Sequence, residues 1–302
     1  MANIIAVIWD CDKTLVDGYM QDPIFEHYGV NSSEFWSEVN ELPAYYQAQG
    51  VKINRDTIYL NHFIHKAHDG TFPGLNNKKL HSFGKELKFY KGVPEIFEKT
   101  KEIINSDSSY AEYGIQVEHY IVSTGMTEII RGSELMSYIS GVWGCELIEG
   151  PDKDGNRVIS EIGYTIDNTT KTKALFEINK GILQLENVDV NSKIPEDKRR
   201  VQFKNMIYIA DGPSDIPAFS LVNKNGGSTF GIYPKGDMEA MQQVEQMRAD
   251  GRINMYAEAD YSEGTTAYMW IINKIKKLAD AIKESEKAKV QNSVSASPRH
   301  LN

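Results

Sequence analysis

The sequence predicts an α/β fold, a doubly wound and mostly parallel sheet interrupted by a helical insert. Strand-length apolar runs alternate with amphipathic helical stretches, the pattern of βαβ units. The clearest strands are 3–9, 116–122 and 205–210, and the first is nearly continuously apolar, as suits a strand buried on both faces. Between residues 15 and 87 the apolar residues recur only at helical spacing, with no good strand run.

In chain order, the first strand ends abruptly at Asp10-Cys11-Asp12-Lys13-Thr14. The helical section follows, with Ser32-Ser33-Glu34-Phe35 as a helix start and loops at 49–50 and 69–77. Its aromatics, among them Tyr45, Tyr46, Tyr59 and Phe63, read mainly as the core of that section. An amphipathic helix is expected to about residue 104, then a strand ending at Ser123-Thr124-Gly125 with a helix after it. Asp154-Gly155 marks the turn of a hairpin between residues 143 and 166. A helix begins at Thr170-Lys171-Thr172-Lys173, and a polar loop spans 187–200. The third clear strand ends at Asp211-Gly212-Pro213-Ser214-Asp215. Two shorter strands, an amphipathic stretch at 237–248 and a helix over 265–282 complete the pattern, and residues 283–302 read as a disordered tail.

With 302 residues, 41% of them hydrophobic and 25% charged, the chain has the balance of a globular protein with a sizeable core. A formal net charge of −9 argues against broad nucleic-acid binding. No apolar stretch approaches a membrane span, and the first one lacks the flanks of a secretory signal. Two cysteines, Cys11 and Cys145, are too few for a disulfide framework, so a cytoplasmic setting is the expectation.

The chemistry concentrates at strand ends. In a parallel sheet the ends at Asp10 and Asp12, at Ser123 and Thr124, and at Asp211 and Asp215 lie on one edge, with Lys171 and Lys173 opening a helix nearby. Four acids gathered there need a cation, and Mg2+ with a lysine would leave a pocket suited to phosphate. Taken singly, these features have plainer readings: Asp215 as a helix cap, Ser123-Thr124 as an N-cap, and the lysines as solvated helix residues. His62, His65 and His68 invite a metal reading, but packing or solvated roles are favoured.

Together the motifs resemble those of the haloacid dehalogenase (HAD) superfamily, in particular its phosphoserine-phosphatase-like branch. The strand-Asp-x-Asp-x-Thr signature stands as Asp10-Cys11-Asp12-Lys13-Thr14, followed by Tyr120 to Gly125, by Lys171-Thr172-Lys173-Ala174-Leu175 and by Asp211-Gly212-Pro213-Ser214-Asp215. Ala210 departs from the Gly that commonly precedes the acidic pair. The resemblance implies a HAD-like catalytic core over residues 1–15 and 88–282, with a C1-type helical cap over 16–87. It implies a Mg2+-dependent phosphatase that hydrolyses a small phosphorylated metabolite through an aspartyl phosphate. Asp10 would be the nucleophile and Asp12 the acid/base, its backbone carbonyl also contacting Mg2+. Lys171 would offset charge, although a slip to Lys173 stays open. Ser123, Thr124 and Gly125 would bind phosphate, the last two through backbone N–H groups at a helix start. Asp211 would ligate Mg2+ directly, and Asp215 directly or through water. A phosphotransferase of the same fold, or a weakly active regulatory protein keeping the metal site, are the alternatives. Neither the substrate nor the oligomeric state is legible.

Overall fold

The computed structural model describes residues 3–295, with side chains described through residue 291. In chain order it contains β1 (Asn3–Trp9), α1 (Asp22–Tyr28), α2 (Ser32–Ala48), α3 (Ile58–Asp69), α4 (Asn77–Phe83), α5 (Glu95–Asn105), α6 (Ser108–Ala111), β2 (Ile115–Met126), α7 (Thr127–Arg131), β3 (Gly141–Pro151), β4 (Arg157–Tyr164), α8 (Thr170–Lys180), β5 (Met206–Ala210), α9 (Ile216–Lys224), β6 (Ser228–Tyr233), α10 (Met238–Ala249), β7 (Met255–Glu258) and α11 (Thr266–Ser295). The seven strands lie in the order β4-β3-β2-β1-β5-β6-β7, and all neighbours run parallel except the β3–β4 hairpin.

Strand β1 is the centre of this sheet. Residues Ile4–Trp9 are all buried, because helices cover both of its faces. From β1 the chain builds outward through β2 and β3, then returns to β1's other side to lay down β5, β6 and β7. The direction of winding reverses at β1, so a crevice opens between the carboxyl ends of β1 and β5. Trp9 pairs with Ile121 on one side and Ile209 on the other. Asp10–Asp12, Ser123 and Asp211 all lie one to three residues beyond this row, on one edge of the sheet.

The section between β1 and α5 is helical, as its periodicity predicts. Phe25, Phe35, Phe63 and Phe72 form its aromatic core, with Phe35 and Phe63 ring centroids 4.6 Å apart. Tyr59 is buried as well, but Tyr45 is exposed rather than part of that core. The section is tied to the sheet by polar bonds: Asn54 Nδ2 donates to Asp167 Oδ2 at 2.8 Å, and the Ile159 N–H donates to the Leu75 carbonyl at 2.9 Å. At its far end α4 meets α7 backbone to backbone. A Cβ on Gly132 would lie 1.7 Å from the His81 carbonyl oxygen, so only glycine permits this approach.

The expectation for the C-terminus is corrected over 283–295. There α11 continues to Ser295 instead of ending at 282 in an irregular tail. Its inner face explains part of this: Ile271, Ile275, Ala279 and Ile282 are buried against the sheet, and Lys283 Nζ donates to Ser109 Oγ at 2.8 Å. Ion pairs at Glu284–Lys287 and Glu286–Lys289 then support the exposed turns. Residues 296–302 of the expected tail lie outside the described residues. Among the described residues, no helix is long and apolar enough to cross a membrane.

Beneath Trp9 lies a buried polar chain. The Trp9 indole Nε1–H donates to His119 Nδ1 at 3.1 Å, and His119 Nε2 meets Thr100 Oγ1 at 2.7 Å. Indole is only a donor, so Nδ1 must accept and the proton sits on Nε2. The Thr100 hydroxyl in turn donates to the Phe97 carbonyl at 2.9 Å. Burial disfavours the imidazolium and lowers the His119 pKa from 6.5 to about 3. The unfolded chain therefore takes up a proton near pH 6.5 that the folded chain refuses. This contribution to stability is complete above that pH and is lost as pH falls from 6.5 toward 3. Denaturant titrations between pH 6 and pH 4 are expected to show a steeper loss of stability in the native protein than in His119→Gln, by up to about 1.4 kcal/mol per pH unit. Equal slopes would show that the imidazole takes up its proton without leaving its site. Gly132→Ala is expected to lower unfolding stability by about 2 kcal/mol or more, because both opposing groups are backbone. An unchanged denaturation midpoint would contradict the close approach of α4 and α7.

Candidate active site

Asp10 leaves the sheet directly from β1, its backbone N–H still held by the Ile209 carbonyl at 2.9 Å. The chain then turns tightly. The Cys11 carbonyl accepts from the N–H groups of Thr14, Leu15 and Val16, and Lys13 takes a left-handed conformation at φ 54°. A non-glycine residue held there is strained, and the surrounding bonds over-determine it. The turn brings Met20 back over Asp12, whose Oδ1 accepts the Met20 backbone N–H at 2.8 Å. Among the described residues no hydrogen bond engages the other Asp12 carboxylate oxygen.

Lys171 lies in the first turn of α8, yet its whole side chain is buried. Its Nζ donates to Asp10 Oδ1 at 2.8 Å and to Asp215 Oδ1 at 2.6 Å. Lys173, two residues on, points elsewhere: its Nζ lies 3.6 Å from Glu177 Oε1 and 5.4 Å from the centre of the Tyr164 ring. Of the two lysines that spacing left open, Lys171 is the one that contacts Asp10 and Asp215. Asp215 makes no side-chain bond to the helix it precedes, so the capping reading is corrected. Besides Lys171 it accepts the Tyr208 hydroxyl at 2.5 Å on Oδ1 and the Ser214 hydroxyl at 2.9 Å on Oδ2. Tyr208 was not singled out from sequence. Its signal was weak: it lies on the same face of β5 as Met206 and Ala210, in a run that otherwise reads as apolar core.

Asp10, Asp211 and Asp215 converge, each with a carboxylate oxygen within 4.8 Å of the others. The Asp12 carboxylate is not part of this group. Three acids thus gather at one buried lysine, with Asp12 close by, and the imbalance shows in the titration of Asp10, Asp12 and Asp211. Burial raises Asp10 to about 6, with Lys171 opposing the rise and Asp215 adding to it. Burial and then the Asp10 charge push Asp12 up to about 8. Burial, Asp10 and Asp215 hold Asp211 well above the usual carboxylate range. Burial alone would lower Lys171, but Asp10 and Asp215 outweigh it and keep the ammonium firmly protonated. The donor set is entirely hard oxygen and carries excess negative charge, which fits a divalent cation such as Mg2+.

The Ser123 region differs from expectation. Strand β2 runs through Thr124 and Gly125 to Met126, and the helix starts only at Thr127. The reading of Thr124-Gly125 as a helix start is therefore corrected. The reason is local: β2 shifts register against β3 between Val122 and Met126, which prolongs the extended chain. Ser123 is buried and its Oγ accepts the Gly125 N–H at 3.0 Å. The Met126 N–H points to Met20 Sδ at 3.2 Å, and the Thr124 carbonyl accepts the Tyr59 hydroxyl at 2.8 Å. Met20 and Tyr59, both from the helical section, thus close over the end of β2.

The three histidines do not gather. His62 Nε2 pairs with Glu38 Oε2 at 2.7 Å, His65 is 3.9 Å from Asp69, and His68 Nε2 meets Ser160 Oγ at 3.1 Å.

No protein-family model matches the chain. An uncharacterised protein of Borreliella burgdorferi is 38% identical over 291 residues, covering 90% of this chain and 97% of that one. Among solved structures, a HAD-family hydrolase of Salmonella enterica serovar Typhi is similar with a TM-score of 0.52 at 14% identity, over 85% of this chain and 67% of that one. A phosphoserine phosphatase solved as a phospho-aspartyl intermediate analogue has a TM-score of 0.48 at 17% identity, over 84% of this chain and 93% of that one. The chain therefore belongs to the same family as the Borreliella protein, and it has the fold of the HAD-family hydrolases.

Proposed function

We propose that the protein is a Mg2+-dependent phosphatase of small phosphomonoesters, acting through an aspartyl phosphate. The observation that carries this reading is the buried Lys171 bridging Asp10 and Asp215, with Asp211 beside them. A buried lysine among three acids is a poor structural device, since apolar packing would cost less. It is a good device for holding a carboxylate ionised and aimed.

In the first step a carboxylate oxygen of Asp10 attacks phosphorus, and the bond to the leaving oxygen breaks. Asp12 gives its proton to that oxygen, through the carboxylate oxygen not engaged by Met20. Its raised pKa leaves it protonated for this task. In the second step water attacks the aspartyl phosphate, Asp12 takes the water's proton, and inorganic phosphate leaves as the Asp10 carboxylate is restored. Lys171 neutralises charge on Asp10 and on the phosphoryl oxygens throughout. Ser123, whose Oγ accepts the Gly125 N–H, would donate its hydroxyl to a phosphate oxygen. Asp10, Asp211 and the Asp12 backbone carbonyl would hold Mg2+. Asp215 is largely spent on Lys171, Tyr208 and Ser214, so its share would come through water. The ion would supply charge neutralisation on the phosphoryl group. Residues 16–87 would act as a cap over the site, in keeping with the contacts of Met20 and Tyr59 at the end of β2.

Purified protein with Mg2+ is expected to release phosphate from p-nitrophenyl phosphate, and EDTA or Asp10→Asn to abolish this. Full turnover by Asp10→Asn would refute the nucleophile. Lys171→Met is expected to cut kcat by about a hundredfold or more, whereas Lys173→Met should leave the rate near the native value. Comparable losses in both variants would show that the buried geometry does not single out Lys171.

A further inference from the structure

Two polar atoms around Tyr59, near the turn that follows β1, are buried without partners. Gln21 follows Met20, the residue whose N–H holds Asp12, and is only 2% exposed. Its backbone carbonyl already accepts the N–H groups of Ile24 and Phe25 at the start of α1, so the side chain is not needed as a cap. Its Oε1 is buried with no hydrogen-bond partner. The neighbouring Tyr59 phenol does not supply one, since its proton goes to the Thr124 carbonyl at 2.8 Å. Trp36 packs against Tyr59, with ring centroids 5.8 Å apart, and its buried Nε1–H also lacks an acceptor.

Each such orphan is costly in an apolar surrounding, because the water it gave up is not replaced. Two of them near one tyrosine, next to the loop whose Met20 N–H holds Asp12, suit a bound group that completes both. One orphan accepts and the other donates. An ammonium only donates and a carboxylate only accepts, whereas a hydroxyl does both.

We infer that Gln21 and Trp36 are specificity-determining residues that read hydroxyl groups of the leaving alcohol. On this assignment the substrate is the phosphate ester of a polyhydroxylated compound, a polyol or a sugar. The inference rests on the phosphatase reading of the same site, in which the leaving group lies beside Asp12. A site built around hydroxyl recognition discriminates against analogues that lack it, because the buried partners are then left unpaired.

The test uses the full chain with Mg2+, comparing sorbitol 6-phosphate, phosphoserine and phenyl phosphate. Turnover is measured with the native protein, and binding is measured by calorimetry in the Asp10→Asn background, where chemistry is blocked. Sorbitol 6-phosphate is expected to bind at least about tenfold more tightly than phenyl phosphate. Gln21→Leu should remove that preference and Trp36→Phe should weaken it. Gln21→Glu, which keeps an acceptor at the position, should retain more of it than Gln21→Leu. The exposed Tyr45→Ala serves as a control whose preference stays native. Equal binding of the three esters, a preference for phosphoserine, or a polyol preference that survives Gln21→Leu would each overturn the inference. Failure of the native protein to hydrolyse any ester would refute the phosphatase reading instead, and the binding comparison would still decide the role of Gln21.

Discussion

The buried contact of Lys171 with Asp10 and Asp215 is the constraint to which the rest of the molecule answers. A lysine with no solvent exposure needs carboxylates within hydrogen-bond reach, and two of them stand at 2.8 and 2.6 Å. Asp10 comes from the end of β1, Asp215 from the turn after β5, and Lys171 from the start of α8. Holding these three at one point requires β1 and β5 to be neighbours and α8 to lie against them. The strand order with β1 at its centre supplies that arrangement.

Around this contact the acids divide by environment. Asp215 is saturated by Lys171, Tyr208 and Ser214, and so orients the lysine. Asp10 shares the lysine but keeps an oxygen free of it. Asp12 stands apart, with one oxygen pinned by Met20 and a pKa raised by burial and by Asp10. Similar side chains thereby meet different surroundings, and burial raises Asp10 and Asp12 to different extents. The helical section takes part in this division directly, since Met20 holds Asp12 while Tyr59 closes over the end of β2.

Much of this was legible along the chain. The runs at β1 and β5 are almost wholly apolar, β2 keeps an apolar Tyr120–Val122 segment, and polar residues follow each, so strand identity and the position of the site at one sheet edge followed from pattern alone. Boundaries were less legible where tertiary contacts override local signals. Thr124-Gly125 resembles a helix start, but pairing with β3 keeps it extended to Met126. Residues 283–295 look polar and aperiodic, yet they prolong a helix already anchored by Ile275, Ala279 and Ile282. Tyr208, Met20 and Gln21 escaped notice for a related reason. Each is an ordinary residue in its local context, and its role comes from a group distant in sequence or from the turn that folds back over Asp12.

Sequence by itself determined the acids, the order of the motifs and the class of sheet, because these depend on residue type and on periodicities of two and 3.6. It could not choose between Lys171 and Lys173, since both open the same helix and either could reach a carboxylate from some backbone. Only the tertiary structure decided, by turning one of them inward between Asp10 and Asp215 and leaving the other beside Glu177. The same holds for Asp215, whose direction depends on where Tyr208 and Lys171 stand rather than on its neighbours in the chain. The physical reason is that a buried charge is positioned by its partners, and those partners are distant in sequence.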